Sequence, residues 1–218
     1  METDCDTLLL IAKARIVFWD FDGVIKDSVN VKTAAFEKLF EPYGYEVSKK
    51  VVCHHEANGG VSRFDKIPLY LSWAGEEVTD ELVAIFCNRF SRLVIQSVIE
   101  SPWVPGVFEY LEDNFHKQYF VLLTATPQKE IEEILISLEI GHFFREVFGA
   151  PFKKVDKIKK VLRMQKITTD QVLMIGDSET DFLAAESNGV PFILRRTSLN
   201  GSLQDRHIGI SVRDFTIK

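Results

Sequence analysis

Two aspartates that follow a short apolar segment, Asp20 and Asp22, have the residue type and spacing to act as a pair. Residues two apart on an extended strand point to the same side, and Gly23 permits a turn directly after them. Two carboxylates at this distance repel each other, so one pKa rises unless a cation lies between them. Mg²⁺ suits such a place because it binds a few carboxylate oxygens together with waters and a phosphate. The pair therefore predicts a Mg²⁺ site in which one carboxylate attacks phosphorus and the other transfers protons. Either aspartate alone would be interpreted more simply as a turn former or a helix cap.

A second polar segment, residues 124–127, also follows an apolar run. Pro127 is expected at the first helical position, which places free backbone N–H groups and the positive end of a helix beside the Thr124 hydroxyl. This arrangement predicts a phosphate-binding turn that includes Ala125. The structural alternative is that Thr126 caps the helix and Thr124 bonds to the local backbone.

Two further segments add charged groups. Lys153 and Lys154 precede a predicted helix, where one ammonium group could neutralise both a nucleophilic carboxylate and a phosphate. Asp177 follows another apolar run and supplies a third acid. Ser178 and Asp181 have the spacing of a capping box, so Asp181 is expected to be structural even if Asp177 binds the metal.

A parallel sheet would bring these residues together. Short β-branched and aromatic runs predict four strands, and apolar residues at helical spacing predict the helices between them. The strands are predicted at Arg15–Trp19, Tyr119–Leu123, Gln171–Ile175 and Val190–Leu194, and the helices at Gln128–Leu138, Val155–Met164 and Glu179–Ser187. The alternation predicts an α/β fold, a Rossmann-like parallel sheet with helices on both faces, in which ligands bind at the carboxyl ends of the strands. The tail can add a short edge strand within Ile208–Phe215.

A long segment with little strand character, from Asp27 to about Val104, lies between the first two predicted strands. Its apolar positions recur at helical spacing, so they predict an inserted helical subdomain. Asp27 or Ser28 is expected to cap its first helix, and Thr79 or Asp80 its last. The predicted division is a core of residues 1–26 and 102–218 and a helical domain of residues 27–101.

The composition excludes several other classes of protein. With 46% hydrophobic and 27% charged residues, the 218-residue chain can bury a core of its own. A net charge of -6 disfavours nucleic acid or an anionic membrane as the main partner. Three widely spaced cysteines, Cys5, Cys53 and Cys87, indicate neither a disulfide framework nor a zinc site.

The apolar run at residues 8–12 is followed at once by Lys13 and Arg15, without a cleavage site, and no segment reaches the roughly 20 apolar residues of a membrane span. We therefore expect a cytoplasmic protein without a membrane segment, either a monomer or a small homo-oligomer.

Together and in this order, the segments resemble the four motifs of the haloacid dehalogenase (HAD) superfamily. The resemblance implies that Asp20 is the nucleophile and that Asp22 is the general acid/base, with its main-chain carbonyl on Mg²⁺. Thr124 matches motif two, and Lys154 matches motif three better than Lys153 does. In motif four Asp177 is implied as a metal ligand, with Asp181 supporting the metal shell. The residues predicted to bind substrate are Gly23, Ala125 and Arg63.

The position of the insertion resembles that of the helical cap in the phosphoglycolate phosphatase and β-phosphoglucomutase branch of this superfamily. The segment around Arg63 is similar to a mutase cap loop that meets a phosphate, and an exposed arginine after an N-cap Ser62 is the alternative. His54, His55 and Lys66 are expected to be solvated or substrate-facing.

The resemblance implies a Mg²⁺-dependent phosphatase that hydrolyses a small phosphorylated metabolite, of the phosphoglycolate or sugar phosphate type, through an aspartyl-phosphate. A β-phosphoglucomutase-like activity is the alternative, although Lys32 stands where those mutases carry a histidine. A phosphonatase, which would need a Schiff-base lysine in the cap, ranks third. A non-catalytic binding module is a further alternative, since a fold alone does not guarantee chemistry.

Overall fold

The computed structural model describes the backbone of residues 4–216 and the side chains of residues 7–216. Within this part of the chain, six strands form one parallel sheet in the order β3-β2-β1-β4-β5-β6. The strands are β1 Ile16–Trp19, β2 Tyr119–Pro127, β3 Glu146–Ala150, β4 Val172–Gly176, β5 Phe192–Arg195 and β6 Ser211–Val212. The predicted α/β parallel sheet is confirmed, and β1 lies at its centre.

One helix precedes β1, five lie between β1 and β2, and from β2 onward helices and strands alternate. The helices are α1 Asp4–Lys13, α2 Val29–Phe40, α3 Tyr45–Ala57, α4 Arg63–Trp73, α5 Asp80–Glu100, α6 Val107–Asn114, α7 Gln128–Ser137, α8 Lys154–Gln165, α9 Glu179–Glu186 and α10 Gly201–Arg206. Helices α2 to α5 form the predicted helical insertion, which is thereby confirmed.

Alternating residues of the central strands pack on opposite faces of the sheet, because side chains alternate along a strand. Val17 and Trp19 of β1 belong to the larger apolar core, which also contains residues of α1, α6, α7 and the insertion. Ile16 and Phe18 belong to a second core with residues of α8 and α9. The two cores confirm helices on both faces and hold the carboxyl end of β1 in a fixed position.

Several local predictions differ from the structure. Strand β2 continues to Pro127, so that proline precedes α7 and is not its first helical residue. Strand β3 was not predicted, and neither was helix α1, which contains the apolar run of residues 8–12. The edge strand β6 lies inside the predicted range. Cys53 and Cys87 are free, and the side chain of Cys5 lies outside the described residues.

The predicted helix caps are partly confirmed. Thr79 accepts a hydrogen bond from the Leu82 N–H at the start of α5, and Ser62 accepts one from the Phe64 N–H at the start of α4. Ser28 precedes α2, but its hydroxyl donates to Asp22 and does not cap the helix. Ser28 therefore contacts a residue of the candidate site and does not act as a helix cap.

Helix α5 is long and apolar enough to cross a membrane by length and composition alone, contrary to the expectation that no segment would be. One side of it is nevertheless buried inside the protein, through Phe86, Cys87, Phe90, Val94 and Val98. These residues pack in the larger core, where α5 contacts α2, α4 and α7.

Candidate active site

The first group at the site surrounds Asp20, which directly follows β1. Lys154 Nζ donates to Asp20 Oδ1 at 2.7 Å and to Asp181 Oδ1 at 2.6 Å. Lys154 is the first residue of α8 and Asp181 lies in the first turn of α9, so both helices begin at the edge of the sheet where β1 ends. All three side chains are buried, so this ion pair is screened little by solvent.

Asp177 completes a cluster of three buried carboxylates. One ligand oxygen each from Asp20, Asp177 and Asp181 lies within 4.8 Å of the others, and Lys154 is the cation bonded to this cluster. Burial, followed by repulsion from Asp181, raises the pKa of Asp20 to about 7. Burial and repulsion from Asp20 likewise raise the pKa of Asp177. The cluster therefore carries an excess of negative charge and could hold a metal ion with oxygen ligands.

Gly23 keeps the backbone close to this cluster. Its φ of +77° favours glycine, and an added Cβ would lie 2.1 Å from Asp177 Oδ2. The Gly23 N–H donates to the Lys26 carbonyl at 2.7 Å. Gly23 was predicted to bind substrate. In this structure its N–H is already bonded, and its missing side chain leaves the space that the Asp177 carboxylate occupies.

Asp22 is held by the insertion and by β2. Its carboxylate accepts hydrogen bonds from Lys32 Nζ, from Ser28 Oγ at 2.6 Å and from Thr126 Oγ1 at 3.2 Å. Burial alone would raise the pKa of Asp22, but the Lys32 ammonium and these hydrogen bonds bring it below its usual range. Asp22 is thus ionised, and its carboxylate faces the insertion while Asp20 faces Lys154.

Thr124 and Ala125 lie at the site in different ways. The Thr124 hydroxyl is buried and accepts a hydrogen bond from the Thr126 N–H at 3.1 Å, as the structural alternative expected. Ala125 lines the cavity beside Asp20 and Lys154. Of the two candidate lysines, only Lys154 reaches the aspartates, since Lys153 is exposed.

Arg63 differs most from its prediction. It is buried and makes two hydrogen bonds with the Glu130 carboxylate, at 2.8 and 2.6 Å, besides one with Ser91 Oγ at 2.8 Å. Its guanidinium also lies over the Phe90 ring. Arg63 still lines the cavity, but its charge is matched by Glu130 of α7, so it joins the insertion to the core.

Two of the three insertion residues that were expected to be solvated or to face the substrate, His55 and Lys66, are buried. His55 and Lys66 are 3% and 1% exposed, and Lys66 Nζ lies 2.9 Å from His55 Nδ1. Burial and the nearby Lys66 charge lower the pKa of His55 to about 2, and burial lowers that of Lys66 to about 7. A solvated position is therefore wrong for both.

Four residues of the site were missed: Ser28, Ser91, Thr126 and Glu130. The alternation of β2 could have indicated Thr126, which lies two residues after Thr124 on the same side of the strand. No sequence signal indicated Glu130, because its partner Arg63 is 67 residues away on another element.

The cavity between the insertion and the edge of the sheet is small, with a volume of about 50 Å³, room for only a few waters. Asp20, Asp22, Asp177 and Lys154 line it from the core, and Lys32, His55 and Arg63 line it from the insertion. Gly60 closes its rim, since an added Cβ there would lie 2.2 Å from Ser178 Oγ and 1.9 Å from Thr180 Oγ1. A buried carboxylate bonded to a lysine in such a cavity can act as a nucleophile.

Curated proteins with similar sequences are phosphoglycolate phosphatases. One from Pseudomonas fluorescens is 28% identical over 183 residues, covering 81% of this chain and 67% of its own length. Another from Vibrio cholerae is 29% identical over 184 residues, covering 80% of this chain and 81% of its own.

Solved structures share the fold at lower identity. A "predicted phosphoglycolate phosphatase" from Haemophilus somnus has a TM-score of 0.71 at 20% identity and covers 93% of this chain and 95% of its own. A β-phosphoglucomutase from Clostridium difficile has a TM-score of 0.73 at 17% identity, with 93% and 92% covered. The profile of the haloacid dehalogenase-like hydrolases matches residues 17–194, from the middle of β1 into β5. The chain therefore belongs to the haloacid dehalogenase-like hydrolases.

Proposed function

We propose that this hydrolase is a Mg²⁺-dependent phosphatase for a small phosphorylated metabolite, of the phosphoglycolate or sugar phosphate type. One observation carries the proposal: the buried Asp20 carboxylate is bonded to Lys154 in a small cavity, beside two further acids that could hold a metal. Relatives named phosphoglycolate phosphatase at 28–29% identity support the substrate type.

In the first step Asp20 attacks phosphorus in line with the leaving oxygen, and an aspartyl-phosphate forms. Because Lys154 binds Asp20 Oδ1, the other oxygen is the nucleophile. The Lys154 ammonium also faces the developing charge on the phosphoryl oxygens, where a preorganised cation lowers the barrier most.

Asp22 is the proposed general acid and base. Paired with Lys32, it is ionised and suited to take a proton from the water that hydrolyses the aspartyl-phosphate. To protonate the leaving oxygen in the first step, it must first gain a proton itself. The arrival of a phosphate dianion beside it promotes that gain, because a nearby negative charge raises the pKa of a carboxyl group.

The residues suited to hold Mg²⁺ are Asp20, Asp177 and the main-chain carbonyl of Asp22. Asp181 would support them, since it orients Lys154 and accepts from the Ser178 N–H and hydroxyl. When bound, Mg²⁺ would neutralise charge between the nucleophile and the phosphate. Thr124 and the Ala125 backbone are the proposed phosphate contacts on the β2 side.

We propose that residues 27–101 act as a cap domain over a core of residues 1–26 and 102–218, and that the enzyme works in the cytoplasm. The ion pairs of Lys32 with Asp22 and of Arg63 with Glu130 support the cap, since each joins the insertion to the core.

A phosphomutase is the alternative. The fold shared with a β-phosphoglucomutase keeps it open. Lys32, which binds Asp22 where the mutases carry a histidine, favours hydrolysis. Intact Asp20, Asp22 and Asp177 argue against a non-catalytic module.

The test is phosphate release with Mg²⁺ from a panel of phosphorylated metabolites. We expect a preference for one small compound that disappears in Asp20→Asn. Isomerisation of a sugar phosphate in the presence of a bisphosphate primer, with only slow phosphate release, would instead establish the mutase.

A further inference from the structure

The cations on the insertion side of the cavity differ in whether an acid balances them. Lys32 is paired with Asp22, and Arg63 is paired with Glu130. Lys66 is 1% exposed, yet no carboxylate among residues 7–216 lies within ion-pair distance of it. A buried cation without a counter-ion is costly, which indicates that a negative group is missing from its surroundings.

His55 stands between Lys66 and the cavity. Its Nδ1 lies 2.9 Å from Lys66 Nζ, and the ring is one of the cavity-lining groups opposite Asp20. When Lys66 is charged it can only donate, so Nδ1 is then the acceptor and the proton lies on Nε2. That Nε2 is buried and has no hydrogen-bond partner among residues 7–216.

The two observations concern one place. His55 lines the cavity and its Nε2 has no hydrogen-bond partner among the described residues, while the Lys66 amino group behind the ring has no acid beside it. A carboxylate in the cavity would supply both an acceptor and an opposite charge. Lys32 and Arg63 line the same side of the cavity, so that side carries several positively charged side chains. Both of these charges are already paired with acids. The cavity is also small, which limits the distance between such an acceptor and the phosphoryl group on Asp20.

We infer that His55 and Lys66 form a carboxylate subsite: His55 Nε2–H binds a carboxylate at the non-reacting end of the substrate, and Lys66 positions the ring and supplies the charge. This inference rests on the proposed phosphatase function, and it narrows the substrate to a short phosphorylated carboxylic acid. Since the lowered pKa of Lys66 reflects burial without a counter-ion, a bound carboxylate would return that lysine to its charged form.

The experiment compares two compounds of nearly equal size, 2-phosphoglycolate and ethyl phosphate, of which only the first has a carboxylate. We expect wild-type kcat/KM to be at least about 30-fold higher for 2-phosphoglycolate, the size of effect found when a buried charged hydrogen bond is lost. In Lys66→Met the ratio should fall at least about tenfold, through KM and not kcat, while ethyl phosphate changes less than about threefold.

Two further variants separate the subsite from a general effect on the fold. His55→Asn keeps an acceptor near the Nδ1 position but removes the Nε2 donor, so the ratio should fall as it does in Lys66→Met. Lys38→Met removes an exposed positive charge from α2 and should leave the ratio unchanged. Unchanged ratios in Lys66→Met and His55→Asn, with ethyl phosphate still hydrolysed, would overturn the subsite.

Binding separates a failed subsite from a failed phosphatase. In Asp20→Asn with Mg²⁺, calorimetry should show tighter binding of 2-phosphoglycolate than of ethyl phosphate, and Lys66→Met should remove the difference. If wild type releases phosphate from no compound of the metabolite panel, the proposed function fails, yet this binding difference would still support the subsite. Equal binding of the two compounds, or binding of neither, would overturn it.

Discussion

The cavity has two walls that differ in charge and in how they are built. The core wall consists of Asp20, Asp22, Asp177 and Lys154, with Asp181 behind Lys154, and acids outnumber cations there. The insertion wall consists of Lys32, Arg63 and His55, with Lys66 behind His55. Strand ends and helix starts of the sheet fix the core wall, whereas the insertion wall is spread over three helices.

The difference in charge and construction indicates that the two walls have different functions. Reacting groups lie on the core wall, where the central strand and the starts of α8 and α9 fix their positions. Groups that contact the rest of a substrate lie on the insertion wall, which is joined to the core by the Lys32–Asp22 and Arg63–Glu130 ion pairs. If this division is correct, core-wall variants should lose turnover on every substrate, and insertion-wall variants should change proton transfer or selectivity.

The largest effect is expected for Asp20→Asn, which keeps the shape but removes the nucleophile. Turnover should fall at least about 10³-fold on all substrates. Phosphate release measures the loss, and a thermal melt should show an intact fold. Asp113→Asn, an exposed substitution on α6, is the control and should keep full activity. Wild-type turnover in Asp20→Asn would remove Asp20 as the nucleophile.

Lys154→Ala should have the next largest effect, a loss of about 10²-fold in kcat, because the cation on the nucleophile and phosphate is removed. Lys153→Ala is the matched control. Its side chain is exposed at the start of α8, so kcat should stay within about twofold. The reverse order of the two losses would contradict the assignment of Lys154 to the core wall.

The two walls also differ in how far sequence reasoning could describe them. Asp20, Asp177 and Lys154 could be located because each lies at the end of a strand or the start of a helix, and parallel topology brings those points together. Arg63 could not be assigned, because its partner Glu130 depends on how α4 packs against α7. Strand β3 was missed because most of its residues are only partly buried, so its apolar pattern is weak.

Lys32→Met tests the contact between the walls. Without the Lys32 ammonium, the pKa of Asp22 should rise. The acidic limb of the pH profile of kcat, where hydrolysis of the aspartyl-phosphate needs ionised Asp22, should therefore move to higher pH by about one unit. At neutral pH kcat should fall by about tenfold, because Asp22 also loses its orientation. The Lys38→Met variant should keep the wild-type profile. An acidic limb that stays in place would show that Lys32 does not control Asp22.

The smallest effect is on stability, where the two walls predict opposite pH dependences in the absence of divalent cations. Asp20 has a pKa raised to about 7, so the folded chain binds more protons than the unfolded chain between about pH 4 and 7, and stability falls as pH rises there. Burial and the Lys32 charge lower the pKa of Lys66 to about 7. The other titratable groups near Lys66 are His55 and His54. The unfolded chain therefore binds more protons above pH 7, and stability rises with pH there.

Each group can contribute a slope of at most about 1.4 kcal/mol per pH unit. Below about pH 6.5 the lowered pKa of His55 gives a rising slope that opposes the falling slope of Asp20, so urea unfolding should resolve the rise from Lys66 most clearly, between about pH 7 and 9. Asp20→Asn should make the slope below pH 7 more positive, and Lys66→Met should flatten the alkaline slope and stabilise the chain at pH 7. Mg²⁺ should reduce the acidic slope only, because it would bind the core wall. If Lys66→Met left the alkaline slope unchanged, Lys66 would carry no unbalanced charge. The two walls would then differ only through the acids of the core wall.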